Sequence, residues 1–169
     1  TKKLKLNAEI STIEDLSNDE KYDVIILIGV FEHLENPKEF LNAIMKHLNS
    51  NGEIIMGLPN VSSLNRWVSE FSSHSWDMLL ESGHIYHYRK DNIEKLLINS
   101  GFEIRFWKTA SIKIRGKVPF LPFRSPFLEK RVQEWIKRSN FFRYFYLLIL
   151  KIIDFFKLGD IILINFQKK

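Results

Sequence analysis

The sequence contains no cysteine. Disulfide bridges, thiolate metal sites and cysteine nucleophiles are therefore excluded, and the composition fits a reducing cytosol. Glycine is also scarce, since only seven are present and no two are separated by a single residue. The chain therefore lacks the Gly-x-Gly turn with which many folds bring their backbone close to a nucleotide.

The sequence also lacks an apolar run long enough to span a bilayer. A membrane-spanning helix needs about 20 mostly apolar residues, and the most apolar stretch, 141–158, is interrupted by Arg143, Lys151, Asp154 and Lys157. On a helix these four charges fall within an arc of about 120°. We expect the wide apolar face that remains to pack against the domain, to pair with a second copy in a homodimer, or to rest on a membrane surface.

Length and charge narrow the possibilities further. The 169 residues suffice for one domain, and the first residue is Thr1 with no signal segment after it, so we expect the chain to begin inside a longer parent protein.

Residues 1–103 carry ten Lys/Arg and sixteen Asp/Glu, whereas residues 104–169 carry fifteen Lys/Arg and four Asp/Glu. The basic C-terminal third is either a solvated face or a surface for a phosphate-bearing substrate or an anionic membrane. Nucleic acid is a less favoured partner, because no recognised binding module accompanies the charge.

The order of predicted elements indicates the α/β class. Residues 22–29 form a short β-branched apolar run that predicts a strand buried on both faces, and residues 53–58 predict another. Between them, Asn36-Pro37 begins a helix that Asn51-Gly52 ends. A strand–helix–strand unit of this length is the building block of a parallel sheet.

The remaining elements extend this alternation. Further strands are predicted at 6–10, 102–114 and 160–166, and further helices at 62–71, 91–100, 127–138 and 141–157. Three prolines make 118–126 a loop. We expect a core over 1–115, a basic and aromatic cap with helices over 116–157, and a closing core strand over 158–169.

Four segments resemble the class I S-adenosylmethionine-dependent methyltransferases. One segment runs from Asp23 to Pro37 and consists of an apolar strand followed by Glu-His-Leu-Glu-Asn-Pro. It is similar to the fourth-strand motif of that family. Segments 48–60, 83–88 and 96–104 follow in the family's order and spacing. The resemblance covers residues 10–106, and it implies a Rossmann-like sheet, S-adenosylmethionine as cofactor and methyl transfer as reaction.

The first half of the family pattern has no counterpart here. The glycine-rich turn after the first strand and the acidic residue after the second are both absent. The resemblance therefore implies an N-terminally incomplete methyltransferase sheet with a helical insertion before the last strand. Alone, such a chain is expected to bind S-adenosylmethionine poorly and to be inactive.

The resemblance places the cofactor at the carboxyl end of the strand at 22–29, where sheets of this kind bind ligands. Gly29, Val30 and Phe31 would line the cofactor cleft, and Thr12 and Ile13 would flank the adenine. The alternative for Gly29 is a simple strand-end glycine.

His33 is the candidate catalytic base, because a neutral imidazole can accept the proton of an acceptor hydroxyl near pH 7. The alternative is that His33 and Glu32 only orient the strand-to-helix turn. His84, Tyr86 and His87 are expected to face the acceptor, with a core or turn role as the alternative.

A metal is not expected. The ubiquinone-pathway O-methyltransferases and the small-RNA 2′-O-methyltransferases, which this chain resembles, hold a divalent cation with a Glu-x-x-Glu-His cluster. Here Gly29 stands in place of the first glutamate. Losing an anionic ligand weakens a site for a hard cation.

The basic, aromatic insertion resembles those of methyltransferases from surface-polysaccharide and lipid-linked sugar pathways. This implies O-methylation of a small-molecule, lipid-linked or sugar-linked acceptor by a cytoplasmic protein. The basic charge is compatible with a peripheral position of that protein at the inner membrane. The alternatives are a non-catalytic module that binds a partner or a membrane, and an RNA methyltransferase.

Overall fold

The computed structural model describes residues 12–17, 19–71, 76, 78, 83–111 and 126–169. The strands are β1 (Tyr22–Ile28), β2 (Leu48–Pro59), β3 (Phe102–Ala110) and β4 (Ile161–Lys168). The helices are α1 (Pro37–Lys46), α2 (Leu64–Phe71), α3 (Lys90–Asn99), α4 (Pro126–Arg138) and α5 (Asn140–Phe155), with single 3-10 turns at Ile13–Asp15 and Phe31–His33. The predicted strand at 6–10, the end of the strand at 112–114 and the loop up to residue 125 lie outside the described residues.

The four strands form one sheet in the order β1-β2-β4-β3. β1 runs parallel to β2, with Val24 opposite Glu53 and Ile28 opposite Gly57. β4 lies antiparallel between β2 and β3. The α/β prediction and the parallel strand–helix–strand unit are therefore confirmed, and the closing strand lies inside the sheet.

The predicted helix end at Asn51-Gly52 is wrong. α1 ends at Lys46 and β2 begins at Leu48, so both residues lie within β2. Gly52 is required for space, because a Cβ there would lie 2.8 Å from the Leu48 side chain and 2.9 Å from the carbonyl oxygen of Tyr22. The glycine marks a close strand contact and not a helix terminus.

One face of the sheet carries the hydrophobic core. Alternate residues of β2 and β4 point to this face and pair across the two strands, as Ile54 does with Phe166 and Met56 with Ile164. α1 covers them with Leu41 and Ile44 and α3 with Ile93 and Leu97, and all of these side chains are buried. The core therefore lies beneath the two central strands, and it holds the end of β2 and the start of β4 in place.

β1 is not buried on both faces, contrary to the prediction from its apolar run. Val24, Ile26 and Ile28 share one face and are 46%, 63% and 54% exposed, while Leu27 on the other face is 6% exposed. In the described part of the chain β1 pairs with β2 alone and is the edge strand. Burial on both faces needs packed elements on both, and the elements that the structure describes cover only the face that carries Leu27.

α4 and α5 pack on each other, and α5 also contacts β3. The rings of Trp135 and Phe142 stack with centroids 5.6 Å apart. The C-terminal end of α5 is fixed to β3, because Asp154 accepts a hydrogen bond of 2.8 Å from the Ser111 hydroxyl. Among the described helices, none combines the length and the apolar character that crossing a bilayer requires.

Candidate functional site

Open space surrounds the carboxyl tip of β1. Gly29 adopts the left-handed backbone region with φ +67°, and a Cβ built on it would meet nothing within 4 Å. Val30 follows and is 37% exposed. A parallel strand pair with room above its carboxyl ends is the usual ligand position in α/β sheets. The tip of β1 can therefore take a ligand against its backbone.

Phe31 does not line that space with its side chain, so the sequence-based assignment needs correction. The ring is fully buried. It lies 6.4 Å from the Phe40 ring and 5.6 Å from the Tyr88 ring, measured between centroids. The 3-10 turn that begins at Phe31 directs this side chain into the core.

The proposed adenine neighbours are Ile13, the first residue of the 3-10 turn at Ile13–Asp15, and Thr12 directly before it. This turn contacts α1. Ile13 packs partly buried against the hydrophobic core. The backbone N–H and the hydroxyl of Thr12 donate to Asp15 Oδ2 at 2.8 and 2.9 Å. These hydrogen bonds, chiefly the backbone one, lower the pKa of Asp15. The adenine-flanking role of Thr12 and Ile13 stays a prediction.

His33 is held by a backbone contact that selects its tautomer. Its Nδ1 donates to the carbonyl oxygen of Gly83 at 2.8 Å. Because a carbonyl can only accept, Nδ1 carries the hydrogen and Nε2 keeps a lone pair in the neutral ring. Gly83 has φ +98°, and a Cβ there would lie 3.2 Å from His33 Nδ1. The exposed imidazole is thus placed as a proton acceptor, and the glycine permits the contact.

Glu32 ties the turn after β1 to the segment 83–88. Its carbonyl oxygen accepts hydrogen bonds from the backbone N–H groups of Ile85 and Tyr86, at 2.9 and 3.1 Å. Its side chain is buried, with Oε1 3.9 Å from His84 Nε2. Oε2 has no hydrogen-bond partner among the described residues. The backbone of Glu32 therefore joins the turn after β1 to this segment, and its buried carboxyl lies beside His84. That Glu32 only orients the turn stays a prediction.

Three histidines gather at this turn. The ring of His84 lies 4.7 Å from that of His33 and 5.7 Å from that of His87. His84 Nδ1 donates to the carbonyl oxygen of Met78 at 3.0 Å, and His87 Nε2 lies 3.4 Å from the same oxygen. The structure thus brings His33, His84 and His87 together, but His84 is almost fully buried.

Tyr86 is the most exposed of the three candidate acceptor residues, at 41%. Its hydroxyl donates to the carbonyl oxygen of Glu35 at 3.3 Å. The neighbouring Tyr88 is buried, and burial raises the pKa of its hydroxyl to about 12. Tyr86 can therefore face an acceptor, whereas Tyr88 supports the turn from the core side.

The cluster also contains the residue types that bind metals. One donor atom each from Glu32, His33 and His84 lies within 4.8 Å of the others. Gly29 offers no side-chain ligand at the position where the resembling families have a glutamate. The absence of a metal stays a prediction.

Asn60 is a structural residue to which the sequence assigned no role. It is buried at the end of β2, and its Nδ2 donates to the carbonyl oxygen of Gly159 at 2.7 Å. Its Oδ1 accepts from the backbone N–H of Ser62 at 2.9 Å. Asn60 therefore joins the end of β2 to the turn before β4. The signal in the sequence that could have identified Asn60 is its position as a polar residue directly after a buried strand.

Comparison with known proteins gives three kinds of match: a family model, curated relatives and solved structures. The family model described as "Methyltransferase domain" matches residues 4–105. The ubiquinone biosynthesis O-methyltransferase of Rickettsia typhi is 33% identical over 109 residues, which cover 54% of this chain and 42% of that protein. The protein of the same name from Rickettsia conorii is 41% identical over 63 residues, 37% of this chain and 20% of that protein. The chain thus spans less than half the length of these curated relatives.

Solved structures show the same fold. A SAM-dependent methyltransferase from Thermotoga maritima, described as a possible histamine N-methyltransferase, aligns with a TM-score of 0.53 and 15% identity over 94% of this chain and 62% of that one. A SAM-dependent methyltransferase from Archaeoglobus fulgidus aligns with a TM-score of 0.52 and 17% identity, over 93% of this chain and 63% of that one. The Rossmann-like expectation is confirmed. Because the family model matches more than half of the chain, this protein belongs to the methyltransferase-domain family.

Proposed function

We propose that this chain forms the acceptor-side half of an S-adenosylmethionine-dependent O-methyltransferase that acts on a small molecule. The observation that carries the proposal is the hydrogen bond from His33 Nδ1 to the Gly83 carbonyl oxygen. It leaves Nε2 as a proton acceptor four residues beyond the open tip of β1. Base and ligand space therefore belong to the same strand-to-helix turn.

The residues at the tip of β1 fit the cofactor. The left-handed Gly29 leaves open space where a Cβ would stand, so the methionine part of the cofactor can lie against the backbone there. Val30 borders the same space. When bound, S-adenosylmethionine supplies the methyl group from its sulfonium. The residues of this chain align the acceptor and receive its proton.

The exposed side of β1 supports a division of the cofactor site between two portions of polypeptide. Val24, Ile26 and Ile28 form an exposed apolar row, and among the described strands β1 has a partner on one edge only. A strand edge without a partner readily accepts another strand. In the proposal, an N-terminal portion adds a parallel strand here and carries the glycine-rich turn that this chain lacks.

In the proposed reaction His33 Nε2 would accept the proton that the acceptor hydroxyl loses when it is methylated. The bound cofactor would give up its S–CH3 bond and leave as S-adenosylhomocysteine. Methyl transfer from a sulfonium needs alignment of the reactants and exclusion of water more than it needs further catalytic groups. Tyr86 stands on the exposed side of the cluster, where it can contact the acceptor. Glu32 and the buried His84 position the segment that holds His33.

The names of the Rickettsia relatives support an oxygen atom of a small molecule as the methylated group. The basic charge of residues 104–169 supports an acceptor that carries phosphate, as a lipid-linked or sugar-linked compound does. The proposed acceptor is therefore a small molecule that is methylated on oxygen and carries phosphate.

A fusion tests the proposal. The N-terminal portion of the Rickettsia typhi relative, up to the start of its match, is joined to this chain, and methyl transfer from labelled S-adenosylmethionine to a panel of catechols and sugar phosphates is measured. His33→Asn is expected to lower kcat by about 10²–10⁴-fold with little change in KM. His47→Asn is the matched control, since His47 lies at the far end of α1. Equal kcat values for the two variants would remove His33 from the reaction.

A further inference from the structure

α5 presents a continuous apolar stripe to solvent. Its members recur at intervals of four and three residues, and each is between 47% and 77% exposed: Phe141, Phe145, Leu148, Ile152 and Phe155. Residues at this spacing lie along one side of a helix. We call this set the α5 stripe.

The inner side of α5 is already occupied. Ile153 is 7% exposed. Burial raises the pKa of Tyr146 to about 12, as expected for a hydroxyl turned toward the protein. The α5 stripe therefore faces away from the domain and has nothing packed over it in the described part of the chain.

The exposed charged residues of the α4–α5 hairpin are mainly basic. Exposed basic residues lie on both helices, namely Lys130, Lys137, Arg138, Arg143 and Lys151. Of the two on α5, Lys151 lies about 80° from the centre of the stripe, whereas Arg143 lies on the opposite side of the helix. The acidic residues between 130 and 157 are Glu134 and Asp154, and both are partly buried. The exposed surface of the hairpin thus combines an apolar stripe with basic charge.

Charge decides between the possible occupants. A second copy bound by two-fold symmetry would place two basic hairpins against each other, and like charges repel. An added N-terminal portion would join at β1, which lies at the opposite edge of the sheet from the β3 strand that α5 contacts. A bilayer with anionic headgroups complements both the apolar stripe and the basic charge of the hairpin.

We propose that the α4–α5 hairpin docks on the surface of a bilayer that contains anionic phospholipid, with α5 lying in the plane of the interface. The aromatic rings of the stripe enter the headgroup and acyl boundary, and the basic side chains contact lipid phosphates. Because the contact uses neither the tip of β1 nor His33, this inference is independent of the proposed methyl transfer.

Vesicle sedimentation with the 169-residue chain tests this. We expect the chain to sediment with vesicles of phosphatidylcholine that contain about 30 mol% phosphatidylglycerol. Binding to vesicles of phosphatidylcholine alone is expected to be weaker by about tenfold or more. Raising the salt from about 0.1 M to about 0.5 M is expected to weaken binding, because it shortens the screening length. Equal binding to both vesicle types, or no binding, would overturn the proposal.

Two matched pairs of variants locate the contact. Phe145→Glu on the stripe is compared with Ile98→Glu on the exposed side of α3, and Lys151→Glu with Lys95→Glu. The first variant of each pair is expected to lose about tenfold or more of its vesicle binding and the second to keep it, while circular dichroism shows that all four are folded. Equal losses within a pair would contradict the proposal. So would a wild-type dimer that Phe145→Glu converts to a monomer without any change in vesicle binding.

Discussion

Replacing Gly83 with alanine tests the contact that fixes the candidate base. Gly83 has φ +98°, and the added Cβ would lie 3.2 Å from His33 Nδ1. The left-handed backbone strains an alanine by about 1–2 kcal/mol. The crowded ring must also move away from the Gly83 carbonyl oxygen, which removes a hydrogen bond with a net contribution of about 0.5–1.5 kcal/mol. We expect Gly83→Ala to lower the free energy of unfolding by about 1.5–3.5 kcal/mol.

Gly29→Ala is the matched control. Gly29 has φ +67°, so an alanine there is strained in a similar way, but nothing lies within 4 Å of its Cβ. We expect a loss of only about 1–2 kcal/mol, because no hydrogen bond is disturbed. Urea unfolding followed by circular dichroism measures both variants, and the slope of the transition shows whether the denatured state has changed.

The difference between the two variants reports the His33 contact by itself. Nitrogen-15 spectra of the His33 ring provide a second readout, with Nδ1 protonated in the wild type and a mixture of tautomers in Gly83→Ala. Equal destabilisation of the two variants, together with unchanged His33 spectra, would refute the reasoning.

Further predictions concern the core, the strand ends and pH. Phe166→Ala should lower the free energy of unfolding by about 3–5 kcal/mol in urea, because the ring is fully buried. Asn60→Ala should lower it by about 1–3 kcal/mol in the same assay, since it leaves buried backbone groups unpaired. In an NMR titration the carboxyl of Asp15 should show a pKa below its usual value of 3.8, and this contribution to stability should vanish as pH falls through the lowered pKa. Thr12→Val should reverse that shift only in part, because the backbone N–H remains. Since the pKa of Tyr88 is raised to about 12, stability should fall as pH rises above 10, where the unfolded chain ionises first, and Tyr88→Phe should lose less over that range.

The parallel unit of the fold could be predicted because its signals are local. The apolar run of β1, Pro37 at the start of α1 and the second apolar run of β2 each specify one element, and a short crossover between them requires parallel strands. The end of α1 could not be predicted, because Gly52 serves a contact with Leu48 and Tyr22 that only the folded sheet reveals. The burial of β1 was also overestimated, since an apolar strand does not show which of its neighbours the chain contains.

The candidate site was predictable as a set of residues but not as a geometry. His33, His84 and His87 could be named from the motifs, and their rings do come together. The inward direction of Phe31 depends on the 3-10 turn after Val30, which leaves no periodic signal in three residues. The tautomer of His33 depends on a backbone oxygen 50 residues away in sequence, and no local pattern encodes such a contact.

Calorimetric titration of S-adenosylhomocysteine into the fusion protein, with and without Gly29→Asn, tests the central claim that the tip of β1 borders the cofactor. Asparagine tolerates the left-handed backbone of residue 29, and the open space around its Cβ accepts a side chain without a clash. Stability should therefore change by less than about 1 kcal/mol, while affinity for S-adenosylhomocysteine should fall by about tenfold or more as the side chain fills the ligand space. An unchanged affinity in a folded Gly29→Asn variant would contradict the account.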